Sequence, residues 1–339
     1  MEIKRIGLDL AKDVFEVHGV DEGDRVVLRK TLRRGKVLEF FAQLPACVVG
    51  MEACGGAHHW ARKLIELGHD ARLMAPQFVA PYRKGNKSDR NDAEAICEAV
   101  GRGSMRFVPV KDEQQQAVQM LHRMRALQMA ERTALVNQTR GLLGEYGIVV
   151  AQGIGRLRVR LAEILEEADN GLPALARELF ADLRERLVAC DAKISEYDRR
   201  IEQLARDSAV AQRLMGLEGV GAVTATALIA AAGDGRQFAN GRQFAAWLGL
   251  VPREYSSGGK IRRGRIGKRG DAYLRTLLIH GARVVYRHLG ERGDRKSQWL
   301  RQLVARRGVN KALVALAAKH ARILWALLSR GGDYRLVAA

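Results

Sequence analysis

Short apolar segments alternate with amphipathic ones over the first third of the chain. The segment from Ile3 to Val20 predicts a strand, a tight turn and a second strand, and Arg25 to Leu32 continues that sheet. The apolar run from Cys47 to Met51 is typical of a buried strand. Further helices and one strand complete the pattern, with helices at Lys36–Gln43, His58–Leu67 and Asp92–Val100 and the strand at Ala71–Ala75. This order predicts a mixed sheet flanked by helices.

The middle of the chain, residues 111–206, has long helical periodicity and a single proline, Pro173. Its second half repeats apolar residues at alternating steps of four and three, which is typical of a coiled-coil seam. The seam consists of Leu183, Leu187, Cys190, Ile194, Tyr197, Ile201 and Leu204. We predict two long helices joined by the segment from Gly147 to Leu172. They form either an antiparallel hairpin or an ordinary helical subdomain.

The last part, residues 207–339, is mainly helical and opens with two glycines, Gly219 and Gly221, before an Ala-rich helix. Glycines there let backbone N–H groups approach a phosphate at the helix N-terminus, as in a helix-hairpin-helix DNA-binding turn. A plain turn between helices explains the same pattern. The sequence therefore predicts three domains, at 1–110, 111–206 and 207–339.

The charge of the chain is strongly positive, with 57 Lys and Arg against 38 Asp and Glu and a formal net charge of +19. Nucleic acid is the commonest partner of such a protein, because each neutralised phosphate releases counterions. An anionic membrane surface and a ribosome-like structural role are the alternatives. Aromatic residues make up only 6% of the chain, so phosphate contacts rather than base stacking should carry the affinity.

The cysteines and the N-terminus indicate a cytoplasmic protein. None of the four cysteines has metal-ligand spacing such as CxxC, and a reducing compartment fits them best. The segment from Met1 to Arg5 leads directly into a strand pattern and does not resemble a signal peptide. No apolar run approaches the ~20 residues that span a bilayer, so we expect no membrane partner.

A cationic segment runs from Arg253 to Arg275, and its five glycines predict a loop that follows a phosphate backbone closely. It contains eight basic residues and two acidic ones, Glu254 and Asp271. A solvated charge run is the simpler alternative. The basic residues are Arg253, Lys260, Arg262, Arg263, Arg265, Lys268, Arg269 and Arg275.

Four carboxylates occupy positions that suit a metal site. Asp9 lies within the first strand, Glu52 follows the buried strand, and Asp89 and Asp92 begin a helix at a spacing that puts both on one face. Each alone also fits a solvent-facing residue or a helix cap. Together they predict a site for two Mg²⁺ ions, with Mn²⁺ as the other candidate, of the kind that cleaves phosphodiesters.

Two serines, Ser256 and Ser257, lie beside the cationic residues. A serine hydroxyl attacks a phosphodiester when its proton is removed and the developing charge is stabilised. A Ser-Ser-Gly-Gly stretch is also an ordinary turn sequence. The residues alone leave both interpretations open.

Four motifs together resemble a known family, the DEDD transposases of bacterial insertion sequences numbered one hundred and ten, and most closely their eleven-eleven branch. The motifs are Gly7-Leu-Asp-Leu-Ala-Lys12, Gly50-Met-Glu-Ala-Cys-Gly-Gly56, Lys87-Ser-Asp-Arg-Asn-Asp-Ala93 and the Ser-Ser-Gly-Gly-Lys segment. The resemblance covers essentially the whole chain, and the combination is far more specific than any single motif.

The resemblance implies an α/β RuvC-like (RNase H superfamily) N-terminal domain, a helical coiled coil and a mainly α C-terminal transposase domain. It implies Mg²⁺ at Asp9, Glu52, Asp89 and Asp92 and a nucleophilic serine. The family motif favours Ser257, and Ser256 remains the alternative. It further implies donor and target DNA, a structured guide (bridge) RNA, and homodimers that assemble into tetramers, in a bacterial cytoplasm at the nucleoid.

Two other classes compete with this recombinase. A metal-dependent nuclease of the junction-resolvase type would use water as the nucleophile, with Ser257 a simple loop residue. A non-catalytic nucleic-acid-binding protein would leave the four carboxylates without a role.

Overall fold

The computed structural model describes residues 2–291 and 293–335. The chain divides into two compact units, one formed by the residues up to Gln116 with Ala232–Ala239, the other by Ala117–Ala231 and the chain from Asn240 onward. The strands are β1 (Arg5–Asp9), β2 (Val14–Val20), β3 (Val26–Arg33), β4 (Val48–Glu52), β5 (Asp70–Met74), β6 (Phe107–Val108), β7 (Pro252–Glu254) and β8 (Arg263–Ile266). The helices are α1 (Val37–Ala42), α2 (Ala57–Glu66), α3 (Pro76–Val79), α4 (Asp89–Val100), α5 (Glu113–Glu145), α6 (Ile154–Glu166), α7 (Ala174–Arg206), α8 (Ala209–Met215), α9 (Ala222–Ala232), α10 (Gly241–Trp247), α11 (Ala272–Arg287), α12 (Arg295–Arg307) and α13 (Val309–Arg330).

The N-terminal unit is built on a six-stranded sheet in the order β3-β2-β1-β4-β5-β6. The first three strands form an antiparallel meander, β4 and β5 run parallel to β1, and β6 closes the edge antiparallel to β5. The predicted mixed sheet with helices is therefore confirmed. The short strand β6 was not predicted, because two residues are too few to show a period.

Alternation along the strands separates the two faces of this sheet. Ile6 and Leu8 are fully buried and belong to one core with Phe41 of α1 and Leu64 of α2. Burial of each such side chain contributes about 1.5–3 kcal/mol. The residues between them point to the opposite face, which α4 covers.

Two glycines allow α4 to lie directly on the sheet. A Cβ atom on Gly7 would come within 2.1 Å of the Ala93 carbonyl oxygen, and one on Gly50 within 2.7 Å of the Val100 Cβ. Gly7 and Gly50 are partners in the parallel pairing of β1 with β4. Any side chain at these positions would push α4 away, so the glycines fix the distance between helix and sheet.

The middle of the chain folds as two long helices with a third between them. Arg125 of α5 donates to Asp198 of α7, and Arg132, seven residues on, donates to Asp191, seven residues back. These pairs show that α5 and α7 run antiparallel. The predicted joining segment, from Gly147 to Leu172, contains α6, whose Leu157, Leu161 and Ile164 are buried in the helical core.

The apolar heptad residues of α7 are buried against other parts of the same chain. Leu183, Leu187, Ile194, Tyr197 and Ile201 are all at most 8% exposed. They form an internal seam rather than a free surface for a second copy.

The C-terminal helices surround α13, which contacts α8, α10, α11 and α12. By length and composition α13 could cross a bilayer, yet 56% of its most apolar window is buried inside the protein, as expected for a core helix. The cationic segment is a partial correction to the sequence analysis. It was predicted as a loop, but β7 and β8 pair within it as an antiparallel ribbon.

Candidate active site

Asp9 and Glu52 are the last residues of two adjacent parallel strands. Gly7 pairs with Gly50 in the register of β1 and β4, so Asp9 and Glu52, each two residues further on, end at the same edge of the sheet. Both are half-buried and share the face covered by α4. The ends of parallel strands are where α/β proteins usually bind ligands.

Asp89 and Asp92 occupy the first turn of α4. The Ser88 hydroxyl caps this helix by accepting the Asn91 N–H at 3.3 Å, and it starts the helix at Asp89, three residues before the predicted start. The contact of α4 with Gly7 and Gly50 then brings this first turn to the edge of the sheet where Asp9 lies.

Electrostatics show that the four carboxylates lie near one another. The pKa of Asp9 is raised to about 6, first by burial and then by the negative charges of Asp89, Asp92 and Glu52. Burial and Asp92 also raise the pKa of Glu52, while Arg83 and Lys87 oppose the rise. A half-buried group of like charges is costly unless a cation compensates it.

The carboxylates are gathered without being in contact. Among the described residues no three acidic, His or Cys side chains stand close enough together to hold a metal ion. Arg83 donates to Asp92 Oδ1 at 3.2 Å. Sequence analysis overlooked Arg83 and Lys87, although their place directly before the Asp89–Asp92 motif was a signal that cations accompany the carboxylates.

The fit of this donor set to a divalent metal follows from its chemistry. Carboxylate oxygens are the ligands preferred by hard divalent cations, and the pKa of Asp9 is raised first by burial and then by the negative charges of the other three carboxylates. Asp9, Glu52, Asp89 and Asp92 therefore supply oxygen donors of the kind that such an ion prefers, although among the described residues no three of them are close enough together to hold one in this structure.

Ser256 and Ser257 lie at the tip of the β7–β8 ribbon, and their hydroxyls differ. The Ser256 hydroxyl donates to Glu254 Oε1 at 2.8 Å and accepts the Arg262 N–H at 3.3 Å. The backbone of Ser257 pairs with Lys260, but among the described residues no group bonds to its hydroxyl. Ser256 holds the tip together, whereas Ser257 presents an available hydroxyl.

The basic side chains of the ribbon are exposed to solvent. Arg253 donates to the Gly267 carbonyl oxygen at 3.1 Å and so ties one strand to the other. Exposed guanidinium and ammonium groups on a ribbon suit contact with a phosphate backbone. The exposed cations predicted to bind nucleic acid are Lys260, Arg262, Arg263, Arg265, Lys268 and Arg269.

The two glycines before α9 have different surroundings. Gly219 has φ +79° and contacts the backbone of Gly281, where a Cβ would lie 2.5 Å from the carbonyl oxygen. Gly221 is exposed, with no atom within 4 Å of its Cβ position. Close packing accounts for Gly219, and only Gly221 leaves room for a phosphate to approach.

Comparison with known proteins matches both halves of the chain to transposases. A family model for IS110-type DEDD elements, described as transposase, matches residues 6–148. A second, described as the transposase IS116/IS110/IS902 family, matches residues 211–304. The first includes the four carboxylates and the second includes the serine ribbon.

Relatives match over nearly their whole length. A probable family 20 transposase of Pseudomonas aeruginosa is 55% identical over 99% of each chain. The transposase for insertion sequence element IS1111A of Coxiella burnetii is 45% identical, over 98% of this chain and 92% of its own. The transposase for element IS1328 of Yersinia enterocolitica is 40% identical, over 96% of this chain and 97% of its own.

These matches confirm the resemblance drawn from the motifs. The DEDD domain implies the use of a divalent metal. The chain therefore belongs to the IS110-type DEDD transposases of the IS1111 branch, insertion-sequence enzymes that cleave DNA and transfer its strands.

Proposed function

We propose that this transposase cuts and rejoins donor and target DNA through a phosphoserine intermediate, with Mg²⁺ at the four carboxylates and a bridge RNA as guide. The observation that carries the proposal is the gathering of Asp9, Glu52, Asp89 and Asp92 at one edge of the sheet, where burial and the neighbouring carboxylates raise the pKa of Asp9 to about 6. Mn²⁺ is an alternative ion, since it prefers the same oxygen ligands.

The N-terminal domain is proposed to be RuvC-like, of the RNase H type. Its support is the antiparallel meander β1–β3 followed by β4 and β5 parallel to β1, with acids at the ends of β1 and β4. We retain three functional regions, 1–110, 111–206 and 207–339, and a helix-hairpin-helix-like phosphate contact at Gly221 before α9.

The carboxylates are assigned the work of holding the metal and the reacting phosphate. When bound, divalent ions polarise a phosphodiester and stabilise the leaving oxygen. Asp9 and Glu52 are fixed by their strands, and Asp89 and Asp92 by the capped start of α4. Arg83, which pairs with Asp92, is free to turn to phosphate once a metal compensates that carboxylate.

Ser257 is assigned as the nucleophile, with Ser256 as the alternative. Its oxygen forms a bond to the phosphorus as its proton is lost, and the bond from phosphorus to the 3′ oxygen breaks. The 3′ oxygen takes up a proton and leaves as a hydroxyl. A 3′ hydroxyl from a second strand then attacks the phosphoserine and restores the serine. The availability of the Ser257 hydroxyl supports this assignment.

Nucleic-acid binding is assigned to the ribbon cations, which contact phosphates without reading bases. The low aromatic content of 6% is consistent with a guide RNA that supplies sequence recognition by base pairing. We place the enzyme in the bacterial cytoplasm, at the nucleoid.

Assembly into dimers and then tetramers is supported by an exposed apolar stripe on α5. Met120, Met124 and Leu127 are 62%, 42% and 52% exposed and lie on one helical face. This stripe, rather than the internal seam of α7, is the surface that a second copy would cover.

The test of the proposal is a covalent adduct between the protein and DNA. Wild type incubated with donor and target DNA, Mg²⁺ and the element's noncoding RNA should yield an adduct that survives denaturation. Ser257→Ala should abolish it, and the matched control Ser256→Ala should retain it. Cleavage that persists in Ser257→Ala without an adduct would instead assign a junction-resolvase-like metal nuclease.

A further inference from the structure

A small cleft opens on the α4 face of the sheet, separate from the four carboxylates. Its volume is about 80 Å³. On the same measure one water needs about 10–15 Å³, so the cleft has room for a group of several atoms. The polar side chains that line it on this face are Glu16, His18, Arg29, Thr31 and Arg90.

The register of the sheet places this cleft next to Asp9. Glu16 of β2 is paired directly with Asp9 of β1, and Thr31 of β3 is paired directly with Glu16. Directly paired residues on antiparallel strands share a face, with Cβ atoms about 5 Å apart. The row Asp9, Glu16 and Thr31 therefore leads from the metal-site edge straight into the cleft.

The cations of the cleft are available to a ligand. Arg90 lies in the first turn of α4, between Asp89 and Asp92, and is exposed, with no ion-pair partner among the described residues. Arg29 is 54% exposed and reaches Glu94 only at 3.9 Å. Neither guanidinium is committed to a close internal bond.

The floor of the cleft contains an unpartnered polar atom. His18 is 4% exposed, and its Nδ1 has no hydrogen-bond partner among the described residues. A buried polar atom without a partner is uncommon, because such atoms usually bond to protein, a ligand or a water. The one lining carboxylate, Glu16, already accepts the Thr31 hydroxyl at 2.7 Å.

We propose that this cleft binds a phosphate of the DNA strand being cut, next to the phosphate that reacts at Asp9. The inference rests on the proposed function, since it takes the four carboxylates as the place of cutting. The guanidinium of Arg90, that of Arg29 with only its 3.9 Å ion pair to Glu94, and an imidazole N–H are donors that suit a tetrahedral anion. The bound phosphate fixes the register of the strand, so that the scissile phosphate meets the carboxylates.

The experiment is a scan of the cut strand with single methylphosphonates, each of which removes the charge of one phosphate. Strand cleavage is measured for the full-length protein with Mg²⁺ and guide RNA. For wild type we expect one position flanking the cut site where the substitution slows cleavage about ten-fold, the effect of losing a charge-assisted hydrogen bond. Positions on either side of it should respond more weakly.

The scan is repeated with Arg90→Gln and Arg29→Gln. If these arginines bind that phosphate, each variant cleaves unmodified DNA about ten-fold more slowly and loses sensitivity at the one position. Undiminished sensitivity at every position in both variants would overturn the proposal. So would a loss of guide-RNA binding in the variants with the DNA pattern unchanged, since it would assign the cleft to RNA.

Lys30→Gln is the matched control. Lys30 neighbours Arg29 on β3, but it is paired with Val17, whose side chain belongs to the core on the opposite face of the sheet, and its ammonium lies over the ring of Phe40, 4.9 Å from the centroid. Lys30→Gln removes the same charge, and its methylphosphonate scan should match that of wild type. Failure of the proposed function is distinguishable, because Asp9→Asn would then retain cleavage, whereas failure of this inference leaves the effect of Asp9→Asn intact.

Discussion

The carboxylate site and the serine ribbon, which the proposed function assigns to one reaction, are built in opposite ways. The carboxylates are half-buried at the ends of β1 and β4 and the start of α4, and the close approach of α4 to Gly7 and Gly50 sets their spacing. The serines lie at the exposed tip of a two-stranded ribbon held by a few hydrogen bonds.

The proposed function explains this difference by the role that it assigns to each group. Four like charges repel one another, so they stay together only on a rigid framework until a cation arrives. A nucleophile has to reach a phosphate, and an exposed ribbon with cations on both strands can adjust to the DNA. The comparison predicts that the first region is sensitive to packing and pH, and the second to salt and DNA contacts.

The largest expected effect is the loss of strand cleavage in variants of either region, and metal binding should then distinguish the two regions. Asp9→Asn and Ser257→Ala should each slow strand cleavage by at least about a thousand-fold, because each removes a group that acts in the transition state. Ser257→Ala should retain metal binding, and Asp9→Asn should lose it. Cleavage assays and metal titration on the same preparations measure this; loss of metal binding in Ser257→Ala would contradict the separation.

Glycine substitutions should affect stability unequally. Gly7→Val should cost about 3 kcal/mol of unfolding free energy, since its Cβ meets the Ala93 carbonyl oxygen of α4. Gly258→Ala in the ribbon should cost only about 1 kcal/mol, because φ of +54° strains an L-residue but nothing stands within 4 Å. Denaturant unfolding gives both values, and equal costs would mean that α4 is not held by this contact.

The pH dependence of stability should come from the carboxylate site. In metal-free protein the pKa of Asp9 is raised from 3.8 to about 6, so the folded state binds its proton more tightly than the unfolded chain does. Charged Asp9 therefore destabilises the fold above pH 6, and the penalty fades as the pH falls toward 3.8.

With chelator, Asp9→Asn should therefore melt at a higher temperature than wild type near neutral pH. This advantage should shrink as the pH falls through about 6. Thermal unfolding at several pH values measures the difference. An advantage that does not change with pH would show that the charges around Asp9 are already compensated.

The smallest expected effect concerns the ribbon cations. Arg265→Gln should weaken DNA binding uniformly across sequences and reduce the slope of log affinity against log salt by about 0.9. The control Asp13→Asn, an exposed acid in the turn after β1, should leave the affinity slope unchanged. A sequence-dependent loss in Arg265→Gln would indicate base recognition instead of phosphate contact.

The sequence predicted the large strands and helices of the N-terminal unit to within a few residues, because alternation and short apolar runs report burial directly. It located Asp9 and Glu52 at strand ends for the same reason. The approach of α4 to Gly7 and Gly50 could not be predicted from the sequence, because it depends on two glycines that are distant in sequence and pair across neighbouring strands.

Other features depended on tertiary contacts that local patterns do not contain. The heptad of α7 does not show in sequence what it packs against, and its burial against the same chain makes it internal. Gly219 and Gly221 formed one motif in sequence, but only the position of Gly281 separates a packing glycine from an exposed one. The β7–β8 ribbon was hidden because glycines and charges obscure strand alternation.

The central claim is that four distant carboxylates together hold divalent ions, and calorimetric titration with Mn²⁺ tests it most directly. Wild type should bind the ion, Asp9→Asn and Asp92→Asn should each lose that binding, and Asp13→Asn should bind as wild type does. Unchanged binding in both Asp9→Asn and Asp92→Asn would contradict the account.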